Sequence, residues 1–215
     1  MKIRSLKTKN NLFLAPMEEV NDICFRLLCK KAGAGLTWTP LTSVLSPQEQ
    51  ILDDKPILQI FANETKGIKE FMKKYNKKVV GWDFNLGCPA DTAKKFCYGS
   101  YLRDLKMIEE ILKLMRDNTK KPLFVKIRKS SYAFEVLKIA EKYCDAIIIH
   151  PRTQSQGYSG EPDLDFAIKL KEKSSIPVIY SGNVDERNYK KYLEKFDAIM
   201  IGRKAIGDPK IFSRI

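Results

Sequence analysis

Eight short apolar or β-branched runs recur along the chain: Leu12–Ala15, Gly35–Thr39, Pro56–Phe61, Val79–Asn85, Pro122–Ile127, Asp145–His150, Ile176–Tyr180 and Asp197–Ile201. Longer amphipathic stretches separate most of them. Leu105, Ile108, Leu112 and Met115 recur at steps of three and four, which makes one apolar helix face. Phe134, Leu137, Ile139 and Ala140 keep a looser version of the same period. Strands alternating with helices predict parallel pairing through right-handed crossovers. An open doubly wound sheet and a (β/α)8 TIM barrel both satisfy that order. The count of eight favours the barrel, an α/β fold in one compact domain over residues 1–215. A chain of 215 residues is short for a barrel. The second helix, around Pro47–Leu52, and the eighth, after Asp208, must therefore be brief.

Barrels of this kind carry their chemistry at the carboxyl ends of the strands. The polar and special residues collect there: Pro16 and Met17 after the first run, Gln59 in the third, and Asn85 to Pro89 after the fourth. Lys126 and Arg128 follow the fifth, His150 and Arg152 the sixth, Ser181 to Asn183 the seventh, and Gly202 and Arg203 the eighth. Residues with no shared role would scatter over both ends.

Composition narrows the function classes. Apolar residues make up 44% and aromatics 10%, enough for a real core. No apolar run is long enough to span a membrane, and the basic, polar N-terminus lacks a secretory apolar stretch. Five cysteines without a CxxC, beside one histidine, argue against a disulfide framework and against structural zinc. These points predict a reducing, cytoplasmic setting. The 39 basic and 26 acidic side chains give a formal charge of +13. That charge fits a polyanionic partner such as nucleic acid, and equally fits Lys-rich solvated helix faces.

Gly182, Asn183, Gly202 and Arg203 have the composition of a phosphate cradle, because glycine admits close backbone approach and free N–H groups suit an anion. Ordinary turns are the alternative. Lys126 and His150 are unusual inside strands, and a buried Lys needs a partner. Both suit an electron-rich cofactor ring, although a lone histidine is often a satisfied core residue. Cys88, between Gly87 and Pro89, is a candidate nucleophile or proton donor. Cys24, Cys29 and Cys144 fall in helix-like stretches and are expected to be buried fillers.

In order along the chain stand Leu14-Ala15-Pro16-Met17, Phe25-Arg26-Leu27-Leu28-Cys29, Gln59-Ile60-Phe61, Asp83-Phe84-Asn85-Leu86-Gly87-Cys88-Pro89, Val125-Lys126-Ile127-Arg128, His150-Pro151-Arg152-Thr153 with Gln156, Tyr158 and Gly160, and Ile201-Gly202-Arg203. In this series the sequence resembles the tRNA-dihydrouridine synthases, flavin enzymes on a (β/α)8 barrel. The resemblance implies FMN over the barrel mouth. Pro16 and Met17 would line it, Gln59, Lys126 and His150 would contact its ring or ribityl chain, and Gly182, Asn183, Gly202 and Arg203 would hold its phosphate. NADPH, or NADH, would be the reductant and a uridine of tRNA the substrate. Cys88 would be the general acid, with Asn85, Arg128, Arg152 and Tyr158 on the base side.

The sequence departs from the family pattern in places. Glu18-Glu19 replaces a small or glycine-containing pair, Cys97 falls where glycine is common, and Ser181 and Asn183 flank Gly182 where Asn and Asp are typical. Lys204 replaces a glycine. Many family members carry a helical domain after the barrel, and none is expected within these 215 residues. The barrel's own basic surface, a partner protein or an oligomer would then grip the tRNA. Two other function classes share parts of the pattern: a small-molecule FMN enzyme resembling dihydroorotate dehydrogenases, and a non-catalytic RNA-binding barrel.

Overall fold

The computed structural model describes residues 1–46 and 51–215. A small antiparallel hairpin, β1 (Lys2–Ile3) and β2 (Leu6–Lys7), comes first. The remaining strands are β3 (Leu12–Leu14), β4 (Leu36–Thr37), β5 (Thr42–Ser43), β6 (Ile57–Phe61), β7 (Gly81–Leu86), β8 (Leu123–Arg128), β9 (Ala146–His150), β10 (Val178–Ser181) and β11 (Ala198–Ile201). They form one nine-stranded sheet in the order β4-β3-β11-β10-β9-β8-β7-β6-β5, parallel throughout. Its two ends meet. Trp38, directly after β4, bridges Ile57 on β6, and the Thr39 N–H donates to the Ile57 carbonyl at 3.0 Å. The sheet therefore curls into the expected barrel, with β5 a second short segment of the β4 crossing.

Each of the eight apolar runs overlaps a strand. The hairpin and the split second crossing are additions, and both are built from two-residue strands too short to leave a periodic signal. The helices are α1 (Ile23–Ala32), α2 (Ile68–Tyr75), α3 (Asp91–Lys95), α4 (Leu105–Asp117), α5 (Ala133–Tyr143), α6 (Leu164–Lys173), α7 (Tyr189–Leu193) and α8 (Ile211–Arg214). The short eighth helix after Asp208 is α8. Most of the expected second helix lies outside the described residues. No helix among the described residues is long and apolar enough to cross a membrane.

Asp residues start three of the helices by accepting from backbone N–H groups in the first turn. Asp22 accepts from Phe25 at 2.7 Å, Asp104 from Lys106 and Met107 at 2.9 and 3.2 Å, and Asp163 from Phe166 at 2.9 Å. The barrel interior is filled by Phe13, Trp38, Ile57, Phe124, Ile148, Ile179 and Met200. The Trp38 and Phe124 rings meet edge-on at 5.3 Å between centroids. A second core lies between strands and helices, and the apolar face of α4 (Ile108, Leu112 and Met115) is buried in it.

Arg26 ties together the loops after β3 and β5. Its guanidinium donates to both carboxylate oxygens of Asp54, at 3.0 and 2.6 Å, and to the Asn21 and Ile51 carbonyls at 2.7 Å each. Burial pushes the Asp54 carboxyl up, but the Arg26 hydrogen bonds and the Arg26 and Lys30 charges hold it net below the ordinary value. Cys29 and Cys144 are buried as expected, whereas Cys24 is exposed. It sits in the first turn of α1 on the face that turns outward, and Leu27 and Leu28, one turn on, are exposed beside it.

Candidate active site

One cavity of ≈ 1010 Å³ opens at the carboxyl ends of the strands. Its wall includes Pro16 and Met17 after β3, Gln59 on β6, Asn85 and Cys88 at the end of β7, and Lys126 and Arg128 on β8. His150 on β9, Tyr158 in the following loop, Gly182 and Asn183 after β10, and Gly202 and Arg203 after β11 complete it. One expected residue is elsewhere. Arg152 does not line the cavity, being 1% exposed. Its donors are taken by Ser159 O at 3.0 Å, Gly160 O at 2.6 Å, Asn183 Oδ1 at 3.1 Å and His150 Nε2 at 3.3 Å.

That last contact fixes a tautomer. A guanidinium can only donate, so His150 Nε2 accepts and the ring proton sits on Nδ1. Burial and the positive charges of Lys126, Arg128, Arg152 and Arg203 push the imidazole down to about 2. His150 is therefore neutral throughout the working range. Lys126 is half-buried at the cavity, and its ammonium makes no hydrogen bond or ion pair among the described residues. Burial lowers its ammonium below the ordinary value.

Cys88 sits in a braced turn. The Asn85 Oδ1 accepts from the N–H groups of Gly87 and Cys88 at 3.0 and 2.9 Å. Ser100 holds the Cys88 carbonyl with its N–H at 3.1 Å and its hydroxyl at 2.9 Å. Gly99, at φ 60°, passes so close that a Cβ there would lie 2.8 Å from the Cys88 carbonyl oxygen. Burial raises the Cys88 thiol above its ordinary value, Glu18 adds to the rise, and Arg128 and Lys126 oppose it. The group is a neutral thiol at pH 7.

Arg128 ties two loops together. Its Nε donates to Gly87 O at 2.7 Å and its Nη1 to Gly157 O at 2.6 Å. Tyr158 is 60% exposed over the cavity. Arg128 and Arg203 lie 5.2 and 5.3 Å from its ring centroid. Asn183 Oδ1 accepts from both Arg152 and Arg203, the latter at 3.0 Å, while its Nδ2 donates to Glu161 at 3.1 Å. Arg203 and Lys204 stand at this end of the wall together with Glu161, and Arg187 there is paired with Asp185 at 3.0 Å.

Sequence reasoning does not single out Gly99, Ser100, Glu161 or Arg187. Gly99 and Ser100 act on the Cys88 backbone rather than on its thiol, which leaves no chemical signature in the sequence. A subtler signal lies in the departures from the family pattern. Glu19, Cys97 and Asn183 all adopt positive φ, at 59, 52 and 49°, where glycine or asparagine is easiest to accommodate.

The model of the family described as dihydrouridine synthase matches residues 13–215. Among curated proteins, the chain is 32% identical over 238 residues to tRNA-dihydrouridine synthase B of Pasteurella multocida, covering 99% of this chain and 70% of that protein. It is 33% identical over 234 residues to a probable tRNA-dihydrouridine synthase of Helicobacter pylori, covering 97% and 71%. Among solved structures, it is similar to morphinone reductase in complex with tetrahydroNAD, with TM-score 0.70 at 11% identity over 100% of this chain and 88% of that one. The old yellow enzyme homologue of Zymomonas mobilis also gives TM-score 0.70, at 10% identity over 97% and 89%. These two likenesses bear on the fold.

Proposed function

This chain belongs to the dihydrouridine synthase family, and we propose that it reduces uridine in tRNA to 5,6-dihydrouridine with FMN and a nicotinamide dinucleotide. The observation that carries the reading is that a neutral thiol, an ammonium with no hydrogen-bond partner among the described residues, a neutral imidazole and a glycine-containing rim that bears Arg203 and Lys204 share one cavity. The residues fit FMN. Lys126 offers donors to a ring carbonyl or nitrogen, His150 offers Nδ1–H, and Gln59 adds amide contacts. Gly202 leaves open the space that a Cβ would fill at ordinary contact distance from Ala15 and Met17, 3.6 and 3.7 Å. Gly182, Asn183 and Arg203 would hold the phosphate, and Pro16 and Met17 would pack on the ring.

When bound and reduced, the flavin supplies a hydride for C6 of uracil. Cys88 donates its thiol proton to C5, leaving a thiolate that Arg128 and Lys126 stabilise. Asn85, Arg128 and Tyr158 hold the base and stabilise negative charge growing towards its carbonyl oxygens. Arg152 serves from behind the wall, through His150 and the loop that carries Tyr158. A net charge of +13 favours binding of the tRNA backbone, and the base must leave its stack to reach the cavity. The flavin assignment is tested by titrating FMN into wild type and Lys126→Ala. Weaker binding in the variant is expected, by roughly tenfold for one lost charge-assisted contact. Equal affinity would remove Lys126 from the cofactor site.

A further inference from the structure

Among the described residues, Asp83 is the one wholly buried carboxylate inside the barrel, and the proposed reaction does not use it. It stands on β7 two residues before Asn85, so both side chains point inward. Its Oδ2 accepts from Trp38 Nε1 at 2.9 Å and from Gln59 Nε2 at 2.7 Å. Its Oδ1 has no partner among the described residues. A buried acid left half-satisfied is costly, which calls for a reason beyond packing.

The reason lies in the polarity of the chain of contacts. The Asp83 oxygen turns the Gln59 amide so that its NH2 faces the carboxylate and its Oε1 faces Asn85. Asn85 Nδ2 then donates to Gln59 Oε1 at 2.8 Å. The Asn85 oxygen is left to accept from Gly87 and Cys88. A flipped Gln59 would set its oxygen against the carboxylate. A flipped Asn85 would set its NH2 against two backbone N–H groups.

We propose that Asp83 is a positioning residue: through Gln59 it fixes the amide orientation of Asn85, which holds the Cys88 turn with its oxygen and keeps an N–H for the ligand in the cavity. The inference deepens the reading of Cys88 and Asn85 as site residues and rests on it.

The test measures iodoacetamide alkylation of Cys88, quantified by peptide mass spectrometry to separate it from the other cysteines. Because it does not require turnover, its failure is distinct from failure of the proposed reaction. Asp83→Leu removes the acceptor. Asp83→Asn removes the charge but keeps an oxygen in place, so the pair separates amide orientation from the field of the carboxylate on Lys126. The expected result is a Cys88 alkylation rate raised roughly two- to tenfold by Asp83→Leu, the lower part of the range for coupled neighbours, as the turn loosens. Asp83→Asn should restore it to within about twofold, and in an Asn85→Ala background Asp83→Leu should add nothing. An unchanged rate in Asp83→Leu, or the same change with and without Asn85, would overturn the proposal. If Asp83→Leu does not fold, Gln59→Met breaks the same chain one link later and carries the same expectations.

Discussion

Gly99→Ala offers a quantitative test of how tightly the Cys88 turn is built. Gly99 sits at φ 60°, and a methyl group there would approach Cys88 O at 2.8 Å, Cys88 Cβ at 3.0 Å and Cys88 N at 3.1 Å. Left-handed backbone costs an alanine about 1–2 kcal/mol. The collision adds a displacement of about half an ångström to bring those atoms to ordinary contact, and it falls on the residue that carries the thiol. A misplacement of about 1 Å costs about a hundredfold in rate, so roughly tenfold is expected here. Gly207→Ala is the control: it has φ 73° and nothing within 4 Å of its added methyl. Both variants should lose at least about 1–2 kcal/mol in thermal denaturation. Only Gly99→Ala should slow dihydrouridine formation. Equal rates in the two would refute the idea that this contact sets the position of Cys88.

Arg26→Met strands the wholly buried Asp54 carboxylate, so a loss of about 3 kcal/mol is expected by chemical denaturation, with the Lys30 contact limiting the damage. Asp54 is held below its ordinary value in the fold, so its contribution is full above the unfolded value of 3.8 and is lost as pH falls through the folded value. The wild type should accordingly lose more stability on acidification than Arg26→Met. Cys88 is raised above the ordinary thiol value of 9.0, so it keeps its proton to higher pH. With FMN saturating, the rate of the proton-donating step should show no limb at the ordinary histidine value because His150 stays neutral, and should begin to fall near pH 8, where the buried Lys126 ammonium loses its charge before Cys88 loses its proton.

Much of this barrel is legible because alternation of short apolar runs and amphipathic stretches forces parallel crossovers. Runs such as Asp145–His150 and Pro122–Ile127 coincide with β9 and most of β8. The split crossing at β4 and β5 is not legible, because Pro40 and Leu41 interrupt the pairing and only two residues remain in each strand. Side chains that face the cavity are marked by their types at strand ends. Arg152 has the same type and the same neighbourhood, yet its donors go to Gly160 and Asn183. Pattern gives the strand end; only packing decides whether a guanidinium turns towards the cavity or beneath it. The contribution of Asp83 is hidden for a related reason, since its meaning lies in which atoms of Gln59 and Asn85 it orients.

The roles given to the other site residues depend on Cys88 delivering the proton in a flavin-dependent reduction of uridine. The direct test is mass spectrometry of unmodified tRNA after incubation with the purified chain, FMN and NADPH, with Cys88→Ala in parallel. New dihydrouridine with the wild type is predicted, and Cys88→Ala, still binding FMN, should be about a hundred- to ten-thousandfold slower. Equal product from both would contradict the role of Cys88, and no product from flavin-loaded wild type would contradict the proposed reaction.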